Sequence, residues 1–191
     1  MKKIILASSS PRRRELLTKI TKDFEIVTPT FDESKFSLST NPISIENLSL
    51  SKAKSISIKL TISALVISAD TVVIYGDRIM GKPKSREEAY DMIKTLSGKT
   101  HHVITGVAVV DAESENYKMS HDTTFVTFNE LSDKDIYGYI DDKKPYDKAG
   151  AYGIQGIGSM LIKKIDGAFY NVVGLPVSEI AANLEGFLKT M

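Results

Sequence analysis

Apolar positions along this chain switch repeatedly between runs that suit strands and spacings that suit helices. Lys3 to Ala7 is a short apolar run that reads as a buried strand. It ends at Ser8-Ser9-Ser10-Pro11, where Ser10 is placed to cap a helix that begins with Pro11. Phe24 to Val27 reads as a second strand, followed by a polar loop holding Asp32 and Glu33. From Ile43 to Leu60 the residues Ile45, Leu48, Ala53, Ile56 and Leu60 fall on one helical face. Ala64 to Ser68 is a β-rich run with Asp70 just beyond its end, and Val72 to Tyr75 extends again before a turn at Gly76-Asp77.

The second half continues the alternation. Ser85 and Glu88 have capping-box spacing at the start of a helix, and Gly98 stands where a C-terminal glycine belongs. Two long strands are expected, about His102 to Val110 and Tyr117 to Phe128. Ser132 with Asp135 opens a short helix, and Pro145 to Gly158 is a glycine-punctuated loop. Met160 to Ile165 and Tyr170 to Val173 read as strands, and Pro176 opens a last amphipathic helix. The whole is α/β, a mixed sheet flanked by helices. With no repeat, low-complexity segment or linker, residues 1–191 read as a single domain.

Composition narrows the chemistry. The chain has no cysteine, which excludes disulfides, zinc–thiolate sites and a cysteine nucleophile. Lys and Arg number 25 against 24 Asp and Glu, a balance unlike that of a general nucleic-acid binder. The N-terminal apolar run is too short for an export signal, and no stretch approaches a membrane span, so a soluble cytoplasmic protein is expected.

Four constellations carry candidate chemistry. Ser8-Ser9-Ser10-Pro11-Arg12-Arg13 lies where a strand feeds a helix, and free amides, hydroxyls and guanidinium groups there suit a phosphate. The alternative is an ordinary capped helix with a solvated basic turn. Asp70 follows the most apolar strand, where a carboxylate can hold a divalent cation or position a water, or merely make a turn. Lys52, Lys82 and Lys148 are scattered cations, of which Lys82 stands between Gly81 and Pro83, two residues that fix its backbone. In Asp147 to Gly156, three glycines permit close approach to a ligand, and the Gln155 amide can read the edge of a planar base. His101 and His102 are adjacent in a strand and should face opposite ways, which argues against a paired metal site. No Walker loop, dinucleotide fingerprint or serine elbow occurs.

Taken in order, Ser8 to Arg13, Lys52-Ala53, Ala69-Asp70-Thr71, Gly81-Lys82-Pro83, Leu96-Ser97-Gly98 with His101, Asp147 to Gly156 and Asn171 to Pro176 resemble the successive motifs of the Maf nucleotide pyrophosphatases. The Asp147 to Gly156 run resembles the subgroup acting on dTTP and UTP. The resemblance implies a mixed sheet in two lobes around a central cleft, similar to the inosine triphosphatase fold. It implies hydrolysis of a nucleoside triphosphate to monophosphate and pyrophosphate with Mg²⁺, Mn²⁺ or Co²⁺, and a homodimer. Carried over by motif, Asp70 is the catalytic or metal-linked carboxylate and Glu33 a second metal ligand. Ser8, Arg12, Arg13, Lys52 and Lys82 bind the triphosphate, and Gln155 lies near the base or its phosphates. Ser68 departs from the family pattern, which has glycine there, as do Lys144 and Ala168, where acidic residues are usual. The alternative function is a nucleotide-binding regulator of septum formation without meaningful turnover; a generic phosphatase lacks a nucleophile motif.

Overall fold

The computed structural model describes residues 2–32 and 36–188. Its strands are β1 (Lys3–Ala7), β2 (Glu25–Val27), β3 (Ala64–Tyr75), β4 (Arg78–Met80), β5 (Thr100–Asp111), β6 (Tyr117–Phe128) and β7 (Ile162–Asp166). Its helices are α1 (Pro11–Leu17), α2 (Pro42–Ser57), α3 (Arg86–Leu96), α4 (Asp133–Lys143), α5 (Phe169–Val173) and α6 (Val177–Leu188). The strands form one sheet in the order β2-β1-β3-β5-β6-β7, with β4 paired to β3. Pairing is parallel between β1 and both β2 and β3, and antiparallel for β3–β4 and β6–β7, so the sheet is mixed as expected.

Two compact units divide the chain. Unit 1 comprises Met1–Asp70, Thr105–Asp122 and Gly174–Met191, and unit 2 comprises Thr71–Ile104 and Thr123–Val173. Strands β3, β5 and β6 each contribute residues to both. In unit 1, Ile5, Ala7, Val66, Ala108 and Val110 from the sheet pack with Ala53 and Ile56 of α2. In unit 2, Ala89, Ile93 and Leu96 of α3 and Ile136, Tyr139 and Ile140 of α4 close over Val73, Val103, Val126 and Phe128. On the outside of that pair, Arg86 grips both oxygens of Asp141 at 2.7 and 2.8 Å and lies over the Tyr137 ring, itself stacked on Tyr90.

Local chemistry explains the helix starts. The Ser10 hydroxyl accepts from the Arg13 amide and Pro11 is the first helical residue of α1. Asn41 and Pro42 do the same for α2, one residue earlier than the apolar spacing suggests. The capping box at Ser132 and Asp135 is complete in both directions. At α3 only half of it forms: Ser85 accepts from the Glu88 amide, while the Glu88 carboxylate turns to the Lys84 amide at 2.7 Å.

Three expectations require correction. Asp70 does not follow a strand end, because β3 runs unbroken through Ser68-Ala69-Asp70-Thr71 to Tyr75. Its first half pairs with β1 and its last three residues with β4, and Asp70 lies between the two stretches. Residues 170–173 are helical, in α5, not extended. Gly167 and Gly174, at φ +128° and +119°, bracket α5, and the buried Asn171 amide donates to the Val103 carbonyl and the Thr124 hydroxyl. That tertiary anchoring overrides the β preference of two adjacent valines. Finally, Gly156–Leu161 is a 3₁₀ turn, and the last strand begins only at Ile162.

Candidate active site

In unit 1 the parallel register sets Ile4, Ile5 and Leu6 of β1 against Leu65, Val66 and Ile67 of β3. The loop beginning at Ser8 and the carboxylate of Asp70 therefore leave the β1–β3 pair at the same end, the end where ligands of parallel sheets gather. Ser8 is buried, and its hydroxyl accepts from the Ser10 amide at 3.1 Å, which shapes the turn into α1. Arg12 and Arg13 follow on the first turn of α1, half-buried. The Arg13 Nε–H donates to the Gly174 carbonyl at 2.8 Å, across 161 positions of sequence.

Lys52 reaches Asp70. Its ammonium donates to Asp70 Oδ2, with the two side chains only 9% and 15% exposed. The sequence predicts Lys52 as a phosphate ligand; the structure places it on the carboxylate. Two features of α2 fix it there. The Ser49 hydroxyl, one turn earlier, donates to the Gly106 carbonyl at 2.8 Å in the interior. A Cβ on Gly106 would stand 2.6 Å from the backbone of Ile45 and Glu46, so the helix rests directly on strand β5. Two residues before Asp70 on the same face of β3, Ser68 is fully buried and its hydroxyl has no hydrogen-bond partner among the described residues.

Unit 2 holds Lys82 and Gln155. Lys82 is exposed between β4 and α3, and its neighbour Gly81 accepts a 3.0 Å bond from the Gly150 amide, which ties the lysine's segment to the glycine-rich one. That segment is rigidly seated. Gly150, at φ +67°, lies close against Val73, whose side chain an added Cβ would approach to 3.0 Å, and Gly158 backs onto the Gly153 carbonyl. The Gly153 amide donates to the Tyr139 hydroxyl at 2.9 Å, and Tyr152 pairs with His101 Nε2 at 2.7 Å. Gln155 stands at the exposed crest of this scaffold. Burial, with a smaller effect of His102, pushes the His101 imidazolium down to about 4, so the ring is neutral at pH 7; burial raises the Tyr152 phenol. A cavity of about 300 Å³ in the same unit, between Tyr75, Arg78, Met80 and α3, contains none of the expected site residues.

Glu33 lies outside the described residues. Among the described residues no cluster of three or more histidine and carboxylate groups could hold a metal ion. Asp70 alone nonetheless suits a hard cation such as Mg²⁺, which takes one or two carboxylates and fills its remaining positions with water and substrate phosphate oxygens. Among the described residues no helix is long and apolar enough to cross a membrane.

Gly106 is missed from sequence, and Gly174 and Tyr152, inside the Asn171 to Pro176 and Asp147 to Gly156 motifs, are given no role of their own there. A lone glycine in the apolar β5 run is a legible sign of close backbone approach, whereas the Gly174 carbonyl leaves no trace in residue type.

Comparison with known proteins supplies an independent line. The family described as Maf-like protein matches residues 3–187. A dTTP/UTP pyrophosphatase of Alkaliphilus oremlandii (strain OhILAs) is 48% identical over 96% of this chain and 95% of its own length. One of Thermoanaerobacter sp. (strain X514) is 45% identical over 93% of each. Among solved structures, the Staphylococcus aureus Ham1 protein aligns over 97% of this chain and 99% of its own with a TM-score of 0.56 at 16% identity, a likeness of fold.

Proposed function

The chain belongs to the Maf-like protein family, and on that footing we propose that it is a nucleoside triphosphate pyrophosphatase acting on dTTP and UTP. The observation that carries the reading is the fixed Asp70 carboxylate, set at the end of the β1–β3 pair from which the Ser8–Arg13 loop also emerges. In this reading water attacks the α-phosphorus, the bond from the α-phosphorus to the bridging oxygen breaks, and pyrophosphate departs with that oxygen. Asp70 orients the water and takes its proton. Ser8, Arg12 and Arg13 bind phosphate oxygens, with Lys52 and Lys82 as further cations and Gln155 toward the base. Phosphoryl transfer asks the protein chiefly for positioning and charge stabilisation, so no covalent nucleophile is required. Each cation 4 Å from a phosphate charge contributes about 4 kcal/mol at an effective dielectric of 20, before desolvation.

Asp70, with Glu33 as a second ligand, would hold a divalent cation, which would supply charge neutralisation on the phosphates. A homodimer completes the proposal, to be checked by sedimentation of the intact chain. Incubation with dTTP and separation of products tests the activity: dTMP and pyrophosphate are expected, with turnover abolished by chelator. Release of single phosphates would overturn the bond assignment, and binding without turnover would overturn the activity.

A further inference from the structure

We propose that Lys52 is the resident counter-ion of Asp70, and that a divalent cation takes this carboxylate only together with a polyphosphate that draws the ammonium away. The idea rests on the reading of Asp70 as a metal-linked carboxylate. It reassigns Lys52 from a standing phosphate ligand to a gate on metal loading.

Three observations carry it. The Lys52 ammonium is in direct contact with Asp70 Oδ2, and both side chains are largely withdrawn from water, where charge repulsion is weakly screened. The helix that bears Lys52 is pinned: Ser49 is bonded to the Gly106 carbonyl, α2 lies against β5 without an intervening side chain, and Ala53 beside it is buried in the core. The lysine root is thus stationary, and only its flexible four-carbon stem can move. Third, among the described residues Asp70 belongs to no group of three or more carboxylate and histidine side chains that could hold a metal ion.

Competition follows from these facts. A dication approaching Asp70 alone meets an ammonium already on the carboxylate, and removing that ammonium strands a buried positive charge. A polyphosphate changes both sides of the balance. It offers oxygens that complete the cation's coordination and oxygens that receive Lys52. Metal and nucleotide therefore enter together, and the nucleotide-free protein stays metal-poor.

Mn²⁺ alone, titrated into the intact nucleotide-free protein and followed by electron paramagnetic resonance of the free ion, tests the proposal. Lys52→Met is expected to bind Mn²⁺ at least about tenfold more tightly than the unaltered chain, because one repelling charge has gone. Lys52→Met combined with Asp70→Asn is expected to lose the gain. Binding by Lys52→Met no tighter than by the unaltered chain overturns the proposal, as does a gain that survives loss of Asp70. Should Lys52→Met fail to fold, the carboxylate ¹³C signal of Asp70, assigned by its absence in Asp70→Asn, gives the same answer in the unaltered chain. Mn²⁺ alone should leave it sharp, and Mn²⁺ with a non-hydrolysable dTTP analogue should broaden it; broadening by Mn²⁺ alone refutes the gate. The Mn²⁺-only arms require no turnover, so failure of the gate and failure of the proposed activity are read separately.

Discussion

Arg13 donates its Nε–H to the carbonyl of Gly174, so the first turn of α1 is braced by the segment that follows α5. Spending Nε on the backbone orients the terminal guanidinium nitrogens as a fork, the geometry that grips phosphate oxygens in pairs. Arg13→Lys keeps the charge and loses both brace and fork. A hydrogen bond to a charged group contributes about 1.5–3 kcal/mol, so KM for dTTP should rise roughly tenfold to a hundredfold. Steady-state kinetics on the purified variant checks this, and an unchanged KM would remove Arg13 from the substrate site.

Asp70→Asn should lower kcat roughly 10²–10⁴-fold, the range contributed by a positioned general base. Nucleotide binding should survive, since neutralising the carboxylate relieves repulsion with phosphate. Calorimetric titration alongside kinetics separates the two effects, and normal turnover in the variant contradicts a catalytic Asp70.

Gly106→Ala places a methyl group 2.6 Å from the backbone of α2, where neither partner is a yielding side-chain tip. Overpacking of this kind costs about 1–3 kcal/mol. Urea denaturation should show that loss, and turnover should fall as well because Lys52 rides on the displaced helix. A variant as stable and active as the unaltered chain would refute the direct docking of α2 on β5.

Ser68→Ala removes a fully buried hydroxyl that has no partner among the described residues, while keeping its Cβ. A buried unsatisfied polar group costs about 1–3 kcal/mol, so this variant should be more stable, with a midpoint shifted upward in thermal unfolding. Destabilisation would mean that the hydroxyl is satisfied in solution.

His101 makes stability pH-dependent. Its folded pKa, about 4, lies below the usual value of 6.5, so between these limits the unfolded chain binds the extra proton. The contribution is fully present above pH 6.5 and is lost as pH falls toward 4, an effect of about 3 kcal/mol. Denaturation curves across pH 4 to 7 should be markedly flatter for His101→Gln, which retains an amide for the Tyr152 hydroxyl. Equal slopes would exclude His101 as their source.

What was readable from sequence follows the reach of each signal. Ser10-Pro11 and Ser132 with Asp135 act within one helical turn, and the helix starts they mark are present. The long strands 100–111 and 117–128 were legible because many residues vote for one period. The segment 170–173 was misread because its conformation is set by Asn171 reaching β5 and β6, contacts that no local pattern encodes. Asp70 was identified as the acidic candidate, but its place inside β3 depends on changing partners from β1 to β4. The Lys52–Asp70 contact was likewise illegible, since it joins a helix and a strand through tertiary packing.

The way the chain is divided also constrains its birth. Unit 1 needs the segment from Gly174 onward, and α1 needs the Gly174 carbonyl for Arg13. During translation β1 and the serine-rich loop emerge at least 161 positions before the Gly174 carbonyl that receives Arg13. Release of a chain ending at Val173 would leave Arg13 without the Gly174 carbonyl and Ser120 of β6 without Asn183 of α6, a species for chaperones or proteases to remove.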